Sequence, residues 1–302
     1  MKILILGYSK IVRRRILKVL QSNKNKIFVA TKSFKDPIPG IKKKYNSYDK
    51  ALKECKPNLV YISLPNSMHY YWAKKALNYK CHTIVDKPIT MNLSELNNLI
   101  EISNKSKKIL SEATFFNYHS QFIKIRKIFK KTSYKFIDAK FVIPKPSKNS
   151  ILLSKKLGGG VLMDMGPYIS SLPRIFNLKN IIDKKVLIKK NNKNLIVSIN
   201  FILNFKEGKY IGKFKFNSNY LNTLRIKNKN TSAQIFRVFS PPSDEILRLN
   251  LKRKNKLKIF KFRQENCFKN YFEEIKKKIK DKNFKFYHAR MIDDCAFRLK
   301  LI

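Results

Sequence analysis

Through the first third of the chain, short apolar runs alternate with stretches whose apolar residues recur at helical spacing. Residues 3–6 form an apolar run that stops at Gly7, and residues 11–20 have the period of an amphipathic helix. Residues 27–30, 59–64, 83–85 and 109–113 read as further strands, the run 59–64 being stopped by Pro65. Residues 70–77 and 93–102 read as helices. Strands separated by helices at this spacing predict a parallel, doubly wound sheet. Right-handed crossovers then gather the loops that follow the strands along one edge, where ligands bind in such folds.

The pattern changes after about residue 115. Residues 121–131 predict a helix and 136–143 an extended segment, followed by a Pro/Ser/Lys-rich loop through Ser150. Gly158-Gly159-Gly160 opens another helix toward Phe176. Between residues 186 and 262, alternating or β-branched runs at 195–203, 210–216, 233–239 and 246–251 predict a mostly antiparallel sheet with one face covered. Helices at 268–279 and 289–302 close the chain. The expected fold class is α/β: a doubly wound parallel sheet over residues 1–115, then an α+β domain with a mostly antiparallel open sheet over 116–302. The last helix is free to pack back on the first domain.

Composition narrows the function classes. With 43% hydrophobic residues in 302, the chain has material for two cores and is not a disordered polycation. No stretch approaches the ~20 uninterrupted apolar residues of a membrane helix, and residues 1–6 lack the marks of a signal peptide. Cys55, Cys81, Cys267 and Cys295 are scattered, which argues against a zinc site or a disulfide framework; no metal is expected, and a reducing cytoplasm suits them. The net charge of +48 admits two readings. One is a polyanion partner; the other is compositional drift toward Lys, Asn and Ile. The lysine runs are short and dispersed and no nucleic-acid motif stands among them, so no specific nucleic acid is expected.

The turn after the first strand reads Gly7-Tyr8-Ser9-Lys10-Ile11-Val12. A dinucleotide site places glycines there so that backbone can approach pyrophosphate at a helix amino terminus. Only the first glycine is kept, though Ser9 is small and its hydroxyl could donate to a phosphate. The second strand ends in Ala30-Thr31-Lys32-Ser33, with no acid before Asp36. An NAD site uses an acid there for the ribose hydroxyls, whereas hydroxyls and a lysine suit a 2′-phosphate. NADP is therefore the expected cofactor, with NAD the alternative.

Two further stretches are more specific: Leu64-Pro65-Asn66-Ser67-Met68-His69 after one strand and Val85-Asp86-Lys87-Pro88-Ile89-Thr90 after the next. Together they resemble the Pro-Asn-x-x-His turn and the Glu-Lys-Pro motif of the Gfo/Idh/MocA oxidoreductases. The resemblance continues through Glu112-Ala113 and His119-Ser120-Gln121 to Gly158-Gly159-Gly160-Val161-Leu162-Met163-Asp164-Met165-Gly166-Pro167-Tyr168. Segments 141–146 and 237–242 are similar to those of the nucleotide-sugar C-3 ketoreductase branch. Three departures stand out: Asp86 replaces the usual Glu, Asn117 stands where many relatives have Arg, and Ser120 replaces Pro.

Hydride delivery to a ketone builds negative charge on its oxygen, so a cation and a proton donor belong there. Lys87 and Tyr168 fit these roles, and Asp164 falls four residues before Tyr168 on the same helix face. The resemblance implies the same three positions as catalytic. Cofactor contacts are expected at Gly7, Ser9, Lys10, Ile11, Thr31, Lys32, Ser33, Leu64, Pro65, Asn66, His69, Asp86 and Lys87, and substrate contacts at His119, Gln121 and Arg237. His119 stays open between a proton donor, a substrate contact and a satisfied interior histidine; Asp164 could instead cap its helix or pair with Arg174. The expected activity is reduction of a keto group on a nucleotide-linked sugar. The alternatives are a dehydrogenase of a free sugar or polyol, and a non-catalytic protein that binds cofactor or polyanion. In the resembling family the second domain binds substrate, and its open sheet serves as a surface for homo-oligomers.

Overall fold

The apolar runs of the first third become a six-stranded parallel sheet in the computed structural model of the chain. Its strands are β1 (Lys2–Leu6), β2 (Lys26–Ala30), β3 (Lys43–Tyr45), β4 (Leu59–Ile62), β5 (His82–Val85) and β6 (Leu110–Glu112), in the order β3-β2-β1-β4-β5-β6. All residues are described except Asn23, Lys24, Ser33, Lys131, Ser133, Asn217 and Asn255. Every residue of β4 and β5 is buried, as expected of parallel strands covered on both faces. The strand order reverses direction at β1, whose neighbours are β2 and β4. That switch point is where open α/β sheets form their ligand crevice, and Gly7 follows it directly.

Helices fill the connections: a π-helical turn (Val12–Ile16) running into α1 (Leu17–Gln21), then α2 (Tyr48–Cys55), α3 (His69–Asn78) and α4 (Leu93–Ser106). Neither β3 nor α2 is evident from the hydrophobic pattern. In β3 only Tyr45 is buried, and its lysines mask the strand. The start of α2 is fixed by Ser47, whose Oγ accepts the Lys50 backbone N–H at 3.3 Å.

The described chain divides into two units. One comprises Met1–Ala113 with Tyr271–Ile292, the other Thr114–Asn270 with Asp293–Ile302. The second is built on an eight-stranded sheet: β7 (Lys135–Val142), β8 (Ile181–Lys190), β9 (Ile196–Phe205), β10 (Gly208–Lys215), β11 (Leu221–Lys227), β12 (Thr231–Phe236), β13 (Leu247–Arg253) and β14 (Lys256–Phe262). The order is β14-β13-β12-β11-β7-β10-β9-β8, and β7 with β10 is a parallel pair in an otherwise antiparallel ladder. The α/β class with a mostly antiparallel second sheet is thus the observed one. One face of this sheet packs on α5 (Ser120–Phe129) and α6 (Val161–Ile175) around Phe122, Ile125, Met165, Ile169, Ile199 and Leu224. The strand expected over 233–239 ends at Phe236, because Arg237 takes a left-handed φ of 55° and turns the chain. The closing helices are α7 (Cys267–Lys280) and α8 (His288–Lys300). Among the described residues, no helix is long and apolar enough to cross a membrane.

Candidate active site

In the first unit the sequence-predicted residues fall at the carboxyl ends of β1, β2, β4 and β5. Gly7 has φ +92°, and a Cβ there would stand 2.2 Å from the Ser63 carbonyl oxygen and 2.9 Å from Leu64 Cδ2. Only glycine fits this close crossing of two chains. Thr31 is buried and its N–H donates to Tyr45 O at 2.9 Å, while Lys32 is exposed with Nζ 5.5 Å from the Tyr48 ring centroid. Ser33 lies outside the described residues. Lys10 is exposed and Ile11 half-buried at the start of the helical turn. A further cation, missed by motif reasoning, stands nearby: the Arg13 guanidinium lies 5.8 Å from the Tyr8 ring and 5.9 Å from the Phe34 ring.

The Asp86-Lys87-Pro88 turn is held from four directions. Tyr61 and Ser63 both donate their hydroxyls to the Asp86 carboxyl, and the Asp86 N–H donates to Ile62 O at 2.9 Å. His69, fully buried, sets Nδ1 2.8 Å from Pro88 O and Nε2 2.8 Å from Leu64 O. Glu112 Oε1 accepts the Ile89 N–H at 2.9 Å. Burial pushes the Asp86 carboxyl above the usual carboxylate range, opposed by the two hydroxyl donors. Burial likewise holds His69 below the usual histidine range, against the pull of the carbonyls. This imidazole ties the Leu64-Pro65-Asn66 turn to the Lys87-Pro88 turn.

Ser9 belongs to the same network. Its Oγ accepts the Val12 N–H at 3.3 Å and lies 2.7 Å from Ser63 Oγ. With Ser63 donating to Asp86, the Ser9 hydroxyl is the donor in its contact with Ser63. Tyr61 and Ser63 were not singled out in the sequence. The available signal was two hydroxyls at alternate positions closing an apolar strand, which places them on one face.

In the second unit α6 carries Asp164 and Tyr168. The Tyr168 ring is half-buried against Phe239 (5.2 Å), Phe141 (5.4 Å) and Phe116 (5.6 Å). These phenylalanines were not predicted and leave the phenol one defined orientation. Arg174 pairs with Asp294 rather than with Asp164. Arg237 stacks on Tyr220 at 5.7 Å and meets Glu245 at 3.5 Å. Its loop is organised by buried Asn222, a residue unmarked in the sequence. Asn222 Nδ2 donates to Ser240 Oγ (2.9 Å) and Tyr220 Oη (3.0 Å), its Oδ1 accepts the Phe239 N–H (3.0 Å), and its carbonyl accepts the Arg237 N–H (2.7 Å).

His119 and Gln121, both fully buried, open α5. His119 Nδ1 accepts the Gln121 N–H at 3.2 Å, and Glu265 Oε2 lies 3.8 Å from the same nitrogen. Burial keeps this imidazole below the usual range, Glu265 working against it. Among the described residues, no group of His, Cys, Asp and Glu could hold a metal ion. The four cysteines are buried.

The donor set at the first edge fits a phosphorylated dinucleotide. Gly7 leaves open a cradle that any Cβ would fill, Lys32 and Arg13 supply positive charge, and residues 26–34 carry no acid.

The model of the GFO_IDH_MocA oxidoreductase family, with an NAD-binding Rossmann fold, matches residues 1–114. An uncharacterized oxidoreductase, ORF334 of Rhizobium meliloti, is 31% identical over 132 residues, 43% of this chain and 40% of that protein. The dTDP-3,4-didehydro-2,6-dideoxy-alpha-D-glucose 3-reductase of Streptomyces violaceoruber is 29% identical over 124 residues, 40% of this chain and 36% of that one. The chain therefore spans about two fifths of the length of these relatives. Among solved structures, KijD10, a 3-ketoreductase from Actinomadura kijaniata in complex with NADP and TDP-benzene, has the same fold. It superposes with a TM-score of 0.89 at 18% identity, covering 100% of this chain and 96% of that one. The match to the Gfo/Idh/MocA oxidoreductase family thus covers the first 114 residues, the dinucleotide-binding part of the chain.

Proposed function

We propose that the protein is an NADP-using reductase of a keto group on a nucleotide-linked sugar. The observation that carries this reading is the fourfold support beneath Lys87, from Tyr61 and Ser63 on Asp86, His69 on Pro88 and Glu112 on Ile89. A lysine of an ordinary solvated surface needs no such base. In the reaction, bound NADPH supplies the hydride. Lys87 places positive charge where the carbonyl oxygen becomes an alkoxide, and Tyr168 gives that oxygen a proton. Asp164 orients the substrate from the same helix as Tyr168.

Gly7, Ser9, Lys10, Ile11, Leu64, Pro65, Asn66 and Asp86 form the cofactor edge, with Ser9 contributing through Ser63. Thr31 and Lys32, with Arg13 beside them, select the 2′-phosphate. Gln121, His119 and Arg237 contact substrate. The nucleotide-sugar assignment is supported by relatives named as dTDP-sugar 3-reductases and by the neighbour solved with NADP and TDP-benzene. The exposed Ile182, Leu187, Leu257 and Ile259 on β8 and β14 are proposed to mediate self-association. Buried cysteines suit a reducing compartment.

The test joins NADPH and NADH fluorescence titrations to a substrate panel. The expected result is tighter NADPH binding and turnover of dTDP-linked keto sugars. Lys87→Met and Tyr168→Phe should each lower kcat by about 10²–10⁴ with NADPH affinity kept. Turnover of free sugars alone would sink the nucleotide-sugar assignment. Nucleic-acid binding without nicotinamide binding would sink the enzyme reading altogether.

A further inference from the structure

Within five consecutive residues at the start of α5, four buried side-chain atoms have no hydrogen-bond partner among the described residues: Asn117 Oδ1, His119 Nε2, and Gln121 Oε1 and Nε2. Buried polar atoms are ordinarily paired, and each one left alone costs free energy comparable to a lost hydrogen bond. Four together form a cluster of donors and acceptors that a polar group placed among them would satisfy.

The chemistry of that group follows from the hydrogen atoms. His119 Nδ1 accepts the Gln121 backbone N–H at 3.2 Å, so this nitrogen carries a lone pair and the ring proton sits on Nε2. Glu265 does not reverse this. Its Oε2 is 3.8 Å from Nδ1 and already accepts the Ser120 N–H at 3.0 Å, while its Oε1 accepts Asn270 Nδ2 at 2.6 Å. The four atoms therefore present an acceptor on Asn117, a donor on His119, and one of each on Gln121, with no net charge. A phosphate or carboxylate offers acceptors alone and would face two unmatched oxygens. A hydroxyl group both donates and accepts.

Resting on the reading of the protein as a nucleotide-sugar reductase, we infer that Asn117, His119 and Gln121 form a neutral subsite that recognises the ring hydroxyls of the sugar. The departure at Asn117 then belongs to the specificity of this chain.

Calorimetric titration with dTDP and with dTDP-glucose tests this in the full chain saturated with NADP. The wild-type protein should bind dTDP-glucose about tenfold or more tightly than dTDP. That gain should vanish in His119→Asn, which keeps the helix cap through its Oδ1 but removes the ring N–H, and in Gln121→Met, which keeps the shape. NADPH affinity and thermal midpoint serve as folding controls and should be unchanged or, for the midpoint, raised. If the gain is absent in wild type or survives in both variants, the inference is overturned and the reductase reading stands. If NADPH binds but neither dTDP compound does, the inference falls together with the nucleotide-sugar assignment.

Discussion

Arg174 and Asp294 meet in a two-point ion pair, Nε to Oδ1 at 2.7 Å and Nη2 to Oδ2 at 2.8 Å. The carboxylate is 7% exposed, and the pair ties the end of α6 to α8. The same helix carries Asp164 and Tyr168 one to three turns earlier, so the pair fixes their position along the helix axis. Asp294→Ala should destabilise the protein by about 3 kcal/mol, because it leaves a guanidinium without its partner in a half-buried site. Arg174→Lys should recover only part of the loss, since one ammonium cannot reproduce the fork. Urea denaturation of the three proteins checks this; equal midpoints would show that the pair contributes nothing.

Gly7 predicts a failure of a different kind. With φ +92° and the Ser63 carbonyl 2.2 Å from the place of a Cβ, Gly7→Ala must push β1 and β4 apart at their carboxyl ends. Backbone cannot yield as a flexible side chain does. Overpacking of this sort costs about 1–3 kcal/mol, to which the unfavourable φ adds about 1 kcal/mol. NADPH affinity should fall at least tenfold, because the displaced turn is the one proposed to approach the cofactor. Equal NADPH titration curves for variant and wild type would remove Gly7 from the cofactor edge.

The parallel sheet and the loops along its edge were legible because buried parallel strands are continuous apolar runs, and β4 and β5 have no exposed residue. Strand β3 was not, because two of its three residues are lysines and its pairing rests on backbone hydrogen bonds that leave no side-chain pattern. In the second unit β8 has five exposed lysine or aspartate residues, and β14 four exposed residues in a row, so edge strands escaped the alternation that marked β9 and β10. At the candidate site, Lys87 and Tyr168 were singled out by the order of motifs. Their supports were not. Tyr61, Ser63, Glu112 and Asn222 act through pairings with residues 17 to 25 positions away, and no local pattern encodes such a partner.

His82 gives a pH dependence with a definite sign. Its Nδ1 accepts the Ile109 N–H at 3.0 Å, and the ring stacks on Phe284 at 6.1 Å. Burial, with Lys108 adding to it, pushes the imidazole from 6.5 down to about 4. A folded value below the unfolded one means that the unfolded chain binds the extra proton. Stability from this group is therefore complete above pH 6.5 and is lost as the pH falls toward 4. His82→Asn keeps an acceptor for Ile109 but cannot titrate. Between pH 6.5 and 4 the wild-type thermal midpoint should fall more than that of the variant, and parallel curves would refute the assignment.

Lys32 stands exposed at the end of β2, on a stretch with no acid from residue 26 to 34. If it holds the 2′-phosphate, its charge matters to NADPH and hardly to NADH. Lys32→Glu should weaken NADPH binding about tenfold or more, the worth of one charge-assisted hydrogen bond at a partly exposed site. NADH affinity should stay within about threefold, or improve as the new carboxylate meets the ribose hydroxyls. Fluorescence titration with both cofactors measures the ratio. A uniform loss would mean that Lys32 contributes only general positive potential.

Asn222 couples the Arg237 loop to the ring that flanks Tyr168. Its Oδ1 accepts the N–H of Phe239, whose ring is 5.2 Å from Tyr168, while its carbonyl accepts the N–H of Arg237, held at φ 55°. One residue therefore holds the aromatic wall through its side-chain amide and, through its main-chain carbonyl, a residue in a conformation that arginine rarely adopts. Asn222→Leu leaves the Phe239 N–H unpaired in a buried place, at a cost of about 1–3 kcal/mol. Asn222→Asp keeps that acceptor and loses the donation to Ser240. If Asn222 positions Phe239 beside the proton donor, the Leu variant should lower kcat and shift the alkaline limb of the pH–rate profile. The Asp variant should keep kcat while raising KM through a loosened Arg237. A purely structural asparagine would lower the thermal midpoint in both variants and leave the kcat and KM of the remaining folded enzyme alike.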